Sequence, residues 1–230
     1  MKSLNKILNL LIMVLVKFLN LLKLLFKNIK YYIKKWFIYQ RAYSGNFLWP
    51  LALILRRYKL KTISLVAAQF LTSGYILDIG TGPGLFPIEM AKNCPNVRIM
   101  GIDIESELLI DGARRAKKNG VDERVSFLKA SAECLPFLDN TFDMVISTMS
   151  FHQWKNRQTG VNEMRRVLKP GGQAMVLVGK IYLLNYIRYF FDFLTRKSHK
   201  IMRKYFETAG FKGIIVKNDS DGLLRTTGIK

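Results

Sequence analysis

Acidic residues are absent from the first third of this 230-residue chain: the first is Asp78, so residues 1–77 carry 13 Lys and Arg against no Asp or Glu. Residues 78–179 hold 13 basic and 12 acidic residues, residues 180–230 hold 11 and four, and the whole chain has a formal net charge of +21. A nearly neutral middle between two basic ends points those ends toward something anionic, a nucleic acid or a membrane surface. Cysteine is scarce as well. Cys94 and Cys134 are the only two, with no C-x-x-C and no His/Cys cluster, so a disulfide framework and a structural zinc site are excluded and a reducing, cytosol-facing location fits. Each is expected to be a small buried hydrophobe. Long apolar runs are missing too: within residues 4–26 the longest, Leu10–Val16, has seven residues, against the roughly 18 to 20 of a clear transmembrane helix. With 50% hydrophobic and 12% aromatic residues, the chain is not disordered and has material for one full-sized domain plus a modest appendage.

Residues 1–45 read as that appendage, a basic amphipathic helical arm. At helical spacing Lys2, Lys6, Asn9, Lys17, Asn20 and Lys23 share a stripe that continues to Lys35, interrupted by Met13 and Val16. A broad apolar face beside a Lys/Asn stripe suits a helix lying in a membrane interface with its ammonium groups among anionic headgroups. Tyr31, Tyr32, Trp36, Phe37 and Tyr39 follow, aromatics that settle at headgroup depth. Two other arrangements stay open: a single-pass anchor with residues 23–41 on the cytoplasmic side, and a helix packed on its own domain or on a partner. A cleaved leader is not expected, because no small-residue site follows the apolar stretch.

From about residue 61 the pattern alternates. Helices are predicted over Lys61–Leu71, Leu85–Asn93, Ser106–Asn119 and Gln158–Val167, and strands over Tyr75–Ile79, Val97–Ile102, Val125–Lys129, Phe142–Ser147 and Gln173–Val178. Apolar strands alternating with helices predict a doubly wound, mostly parallel α/β sheet with its ligand beyond the carboxyl ends of the strands. The first strand runs into Asp78-Ile79-Gly80-Thr81-Gly82-Pro83-Gly84, where glycines allow a tight turn and close approach of the backbone to a ligand. Asp103 ends the next strand, placed for a carboxylate that accepts two ribose hydroxyls. Together they indicate an adenosine-type cofactor.

Four ordered motifs, L-D-I-G-T-G-P-G at 77–84, G-I-D-I at 101–104, A-E-C-L-P-F at 132–137 and R-V-L-K-P-G-G at 166–172, resemble those of class I S-adenosylmethionine-dependent methyltransferases, in the small-molecule branch that includes the ubiquinone and menaquinone methyltransferases. The resemblance runs from about residue 60 to the C-terminus. It implies a seven-stranded Rossmann-like methyltransferase sheet over 46–230, closed by an antiparallel hairpin after Ala209-Gly210-Phe211, with S-adenosyl-L-methionine as cofactor. Asp78, Gly80 and Gly82 would then line the methionine and ribose, with Thr81 and Gly84 in the same turn. Asp103 would hold the ribose hydroxyls and Ile104 would pack on adenine. Ser131 and Ala132 would meet the adenine edge beside Glu133, Ser131 standing where the family commonly has Asp. Ser147 and Met149 would lie near the sulfonium. No metal is implied.

Methyl transfer needs alignment and exclusion of water, and a base only if the acceptor must lose a proton. His152, one of two histidines, follows the fourth strand, and Tyr43 or Tyr39 could fold over the site from the arm. His152 as a plain loop residue stays open beside its role as base, whereas His199 in its Lys/Arg-rich run reads as solvated. Tyr182, Tyr186, Tyr189, Phe190 and Phe193 recur at helical spacing within an insertion at about 180–206. An insertion there implies an apolar acceptor by resemblance, and core packing is the alternative. Arg188, Arg196, Lys197, Lys200, Arg203 and Lys204 border that face with positive charge, which suits an anionic amphiphile or membrane surface. The expectation is a methyltransferase, peripheral on the inner face of a membrane, with a lipid-like, quinone-like or other apolar acceptor. A nucleic-acid acceptor is disfavoured, because strand four ends in Ser-Thr-Met-Ser rather than an N-P-P-Y type of motif. A non-catalytic adaptor needs neither the glycine turn nor Asp103. The oligomeric state is left open.

Overall fold

Strands that are apolar at consecutive positions need cover on both faces, and this chain supplies it. The computed structural model describes residues 67–179, 199–219 and 223–230. The arm with Tyr39 and Tyr43, and the aromatic segment from 180 to 198, lie outside the described residues. β1 (Ser73–Ile79), β2 (Asn96–Asp103), β3 (Val125–Lys129), β4 (Phe142–Thr148), β5 (Leu168–Gly179), β6 (Lys212–Asn218) and β7 (Leu223–Ile229) form one sheet in the order β3-β2-β1-β4-β5-β7-β6. The first five strands run parallel, and β7 is antiparallel to both β5 and β6.

Alternate residues of each strand feed opposite layers. Ile76, Ile146 and Met175 join Phe86 and Met90 of α1 (Leu85–Asn93) and Ala116 of α2 (Ser106–Lys118) in one buried cluster. Leu77, Val145 and Val176 join Val161 and Met164 of α3 (Arg157–Val167), together with Met202 and Phe206 of a helix over 199–208, in the other. Each such side chain contributes about 1.5–3 kcal/mol on full burial. The seven-stranded, doubly wound fold is therefore the one expected.

Local differences have local causes. β5 begins at Leu168 rather than Gln173, because Leu168 pairs with Phe142 and the Gly171-Gly172 backbone bonds Lys230 in both directions at 3.4 and 3.0 Å. Within the described part, the helix predicted over Lys61–Leu71 stops at residue 68 and turns. Cys94 is buried as expected, but Cys134 is exposed: Ala132 and Leu135 fill the core positions of its turn. His199 is half-buried rather than fully solvated.

Charged groups tie the layers together. Arg166 of α3 donates to Glu163, to Asp139 and to the carbonyls of Leu135 and Phe137, while Glu163 accepts the Leu135 N–H at 2.8 Å. The Arg166 hydrogen bond, opposed by burial and aided by that N–H, holds the Glu163 carboxyl below its ordinary value. Burial pushes Asp143 up, but Lys169 and the Tyr75 N–H, each at 2.8 Å, outweigh it and bring it below the ordinary range. A carboxyl depressed on folding stabilises fully above its unfolded pKa and loses that contribution as pH falls through the folded value. The thermal midpoint, followed by circular dichroism, is expected to be flat from about pH 6 to 5 and to fall below about pH 4.5, and Glu163→Gln to flatten part of that fall. A midpoint unchanged down to about pH 3 would remove these carboxylates from the stability balance.

Candidate functional site

The chain leaves β1 for β2 and β3 on one side of the sheet, then crosses to β4 and β5 on the other. The crevice at such a switch point opens beyond the carboxyl ends of the two central strands, here β1 and β4. The loop after β1 leads to α1 on one face and the loop after β4 leads to α3 on the other, so the two diverge above the sheet.

The first wall is the glycine turn. Gly80, Gly82 and Gly84 have φ of 72°, 56° and 71°, the left-handed region that costs other residues about 1–2 kcal/mol. The Gly80 and Thr81 N–H groups bond the Ile102 carbonyl at 2.8 and 2.9 Å, which ties the turn to the end of β2. Asp78 is fully buried at its base, and Thr81 is buried with a hydroxyl that finds no hydrogen-bond partner among the described residues. A Cβ on Gly84 would lie 2.6 Å from the Phe127 ring, so this glycine serves packing.

The second wall is Asp103. Its half-buried carboxylate accepts the Gly82 N–H at 2.8 Å and the Glu105 N–H at 3.0 Å, fixing both the glycine turn and the start of α2. Ile104 beside it is 57% exposed, an apolar side chain standing in the open at the strand end. A Cβ built on Gly82 would meet nothing within 4 Å among the described residues. Open space over a glycine backbone, a carboxylate at the strand end and an uncovered apolar side chain beside it fit an adenosine cofactor.

The third wall comes from the segments after β3 and β4. Ala130 N–H bonds the Asp103 carbonyl at 3.1 Å, and Ser131 donates its hydroxyl to Glu133. Ala132 is buried. Glu133 also accepts the N–H groups of Lys155 and Asn156 at 2.8 and 3.3 Å. Burial alone would push its carboxyl up, but the hydrogen bonds from Ser131, its own N–H, Asn156 and Lys155 hold it below the ordinary value. Ser147, expected near the sulfonium, is fully buried and shares a hydrogen bond of 2.8 Å with Ser150 Oγ. Met149 sits at φ 61°, a left-handed residue at the lip of the crevice. His152 is exposed on the short turn Phe151–Gln153, whose carbonyls at 151 and 152 accept from Arg157 at 3.3 and 2.8 Å. Tyr43 lies outside the described residues.

The structure thus gathers the turn at 80–84, Asp103, Ile104, the 131–133 segment and Met149 at one end of the sheet. Sequence reasoning missed Ser150, which donates to the Ile79 carbonyl at 2.8 Å and lies where a Gly80 Cβ would come within 2.2 Å of it. It also gave no role to Glu163 and Arg166. Their i,i+3 spacing on an amphipathic helix was the available signal.

Residues 76–172 match a family model described as a methyltransferase domain. The chain is 33% identical to a ubiquinone/menaquinone biosynthesis C-methyltransferase of Geotalea daltonii over 53% of its own length and 50% of that protein's. It is 32% identical to a demethylmenaquinone methyltransferase of Porphyromonas gingivalis over 44% of its length and 42% of that protein's. The chain therefore spans about half the length of the curated relatives it matches. A solved S-adenosylmethionine-dependent methyltransferase of Aquifex aeolicus superposes with a TM-score of 0.60 at 19% identity, covering 75% of this chain and 97% of that one, a likeness of fold. Residues 76–172 thus match a methyltransferase domain, and the described residues share the fold of solved S-adenosylmethionine-dependent methyltransferases.

Proposed function

We propose that the chain transfers a methyl group from S-adenosylmethionine to an apolar, quinone-like or lipid-like acceptor at an anionic membrane surface. The observation that carries the reading is the crevice between β1 and β4, where the open face of Gly82 and the Asp103 carboxylate converge within the segment that matches a methyltransferase domain. When bound, S-adenosylmethionine supplies a methyl carbon activated by its sulfonium for in-line displacement. Gly80 and Gly82 let the backbone approach it, Asp103 accepts the ribose hydroxyls and Ile104 covers the base. Ser131 and Ala132 border the adenine edge. His152, exposed two residues beyond Ser150, is the candidate to take a proton from an acceptor that must lose one, with Tyr43 of the arm as the second candidate.

The quinone-like acceptor is supported by the relatives, which are named as quinone-pathway methyltransferases. The membrane is supported by charge placement. The helix over 199–208 exposes Lys200, Arg203 and Lys204 beside Ile201, itself 43% exposed, an arrangement that suits anionic headgroups. Among the described residues no helix is long and apolar enough to cross a membrane. The test is methyl transfer from radiolabelled S-adenosylmethionine into fractionated cell extract, with label expected in the lipid extract. Label in RNA instead would overturn the acceptor class. Deleting residues 1–40 is expected to weaken binding to anionic liposomes, and unchanged binding would remove the arm from the membrane reading.

A further inference from the structure

The loop after β4 carries His152, and it is tied at both ends to parts of the chain that build the cofactor side of the crevice. At its start, the Met149 N–H bonds the Leu177 carbonyl at 2.8 Å and Ser150 Oγ bonds the Ile79 carbonyl, immediately before the glycine turn, at 2.8 Å. At its end, Glu133 Oε1 accepts from Lys155 N at 2.8 Å and Asn156 N at 3.3 Å. Asn156 in turn caps α3 by accepting the Thr159 N–H at 3.1 Å. The other oxygen of Glu133 accepts from Ser131, on the segment whose Ala130 N–H is bonded to the Asp103 carbonyl. Between the ends, Phe151 and Trp154 are buried with ring centroids 5.0 Å apart, so the middle of the loop has apolar anchors of its own.

Glu133 thus spans two segments 22 and 23 residues apart in sequence, one oxygen on each. Both oxygens of Glu133 are engaged by donors of the protein itself, and those donors belong to the two segments. We propose that Glu133 is a positioning residue: it couples the 131–133 segment on the adenine side to the 149–156 loop, so that cofactor binding orders the loop on which the acceptor approaches. This rests on the methyltransferase reading and adds to it a route by which the first ligand prepares the site of the second. The energetic basis is the pair of backbone N–H hydrogen bonds accepted by one side-chain oxygen at this position, which alanine cannot supply.

The experiment is hydrogen exchange of the full chain with and without S-adenosylhomocysteine, with binding followed by calorimetry. In the wild type, the ligand is expected to slow exchange both at 79–85 and at 149–156. In Glu133→Ala, ligand binding and protection at 79–85 are expected to persist, while amides 155 and 156 exchange about tenfold to a hundredfold faster and gain nothing from the ligand. Glu133→Gln is expected to restore the coupling, since its amide oxygen still accepts the two N–H groups and its nitrogen can donate to Ser131. If Glu133→Ala fails to fold, Lys155→Pro deletes one donor instead. Trp154 has φ −67° and ψ 133°, the extended conformation required before proline, and the same loss at 149–156 is expected. Retained ligand-induced protection at 149–156 in Glu133→Ala or Lys155→Pro overturns the proposal, as does a Gln variant that behaves like the Ala variant. Wild-type binding without added protection at 149–156 overturns the coupling alone, and absence of any binding overturns both the coupling and the methyltransferase reading.

Discussion

Gly80→Ala is expected to eliminate measurable binding of S-adenosylmethionine and to destabilise the domain by about 2–5 kcal/mol. Two effects add. The residue sits at φ 72°, where a side chain costs about 1–2 kcal/mol. The new methyl would also lie 2.2 Å from both Cβ and Oγ of Ser150, so Ser150 must leave the Ile79 carbonyl or the turn must open. Ser150→Gly removes both clashing atoms and leaves the backbone term, so the double variant is expected to recover about 1–3 kcal/mol relative to additivity. Gly82→Ala provides the contrast. Its φ is 56°, but its Cβ meets no atom of the described residues within 4 Å, so the stability cost is the backbone term alone, while cofactor affinity falls about 10- to 100-fold because the methyl enters the ligand's space. Calorimetry with S-adenosylhomocysteine and thermal melts separate the two outcomes. Wild-type affinity in Gly82→Ala would show that the ligand does not pass over this turn.

Asp103→Ala is expected to weaken cofactor binding about a hundredfold to a thousandfold. The carboxylate holds the Gly82 and Glu105 N–H groups, and hydrogen bonds to a charged group contribute about 1.5–3 kcal/mol each. The ribose contacts proposed for the same oxygens are lost as well. Asp103→Asn keeps the shape, yet it is not conservative here. Both carboxylate oxygens face backbone donors, so the amide nitrogen must oppose one of them whichever way it is turned. The Asn variant is therefore expected to lose about 10- to 100-fold. Binding within about threefold of wild type would show that Asp103 is not part of the cofactor site.

Several elements were legible because their signals are local. The helix Leu85–Asn93 and the strand Val125–Lys129 have the expected bounds, since a short apolar run between turn residues needs no distant information. The glycine turn was legible for the same reason, as three closely spaced glycines between a strand and a helix mark left-handed backbone. The extension of β5 back to Leu168 was not, because it depends on pairing with Phe142 and with the terminal Lys230. Nor was the exposure of Cys134, which depends on which neighbours in its turn take the two core positions.

The sequence by itself determined the order of strands and helices, the doubly wound class, the glycine turn and the acid at the end of the next strand. Each of these is written in periodicity or spacing over a few residues. Only the tertiary structure decided that Ser147 is buried behind Ser150, that Ser150 fills the space a Gly80 side chain would need, and that Glu133 joins two loops. The last two depend on contacts between residues 22 to 71 apart, and a contact across that distance has no spacing in the sequence. It exists only once β1, β3 and β4 have been brought side by side and their carboxyl ends face one crevice.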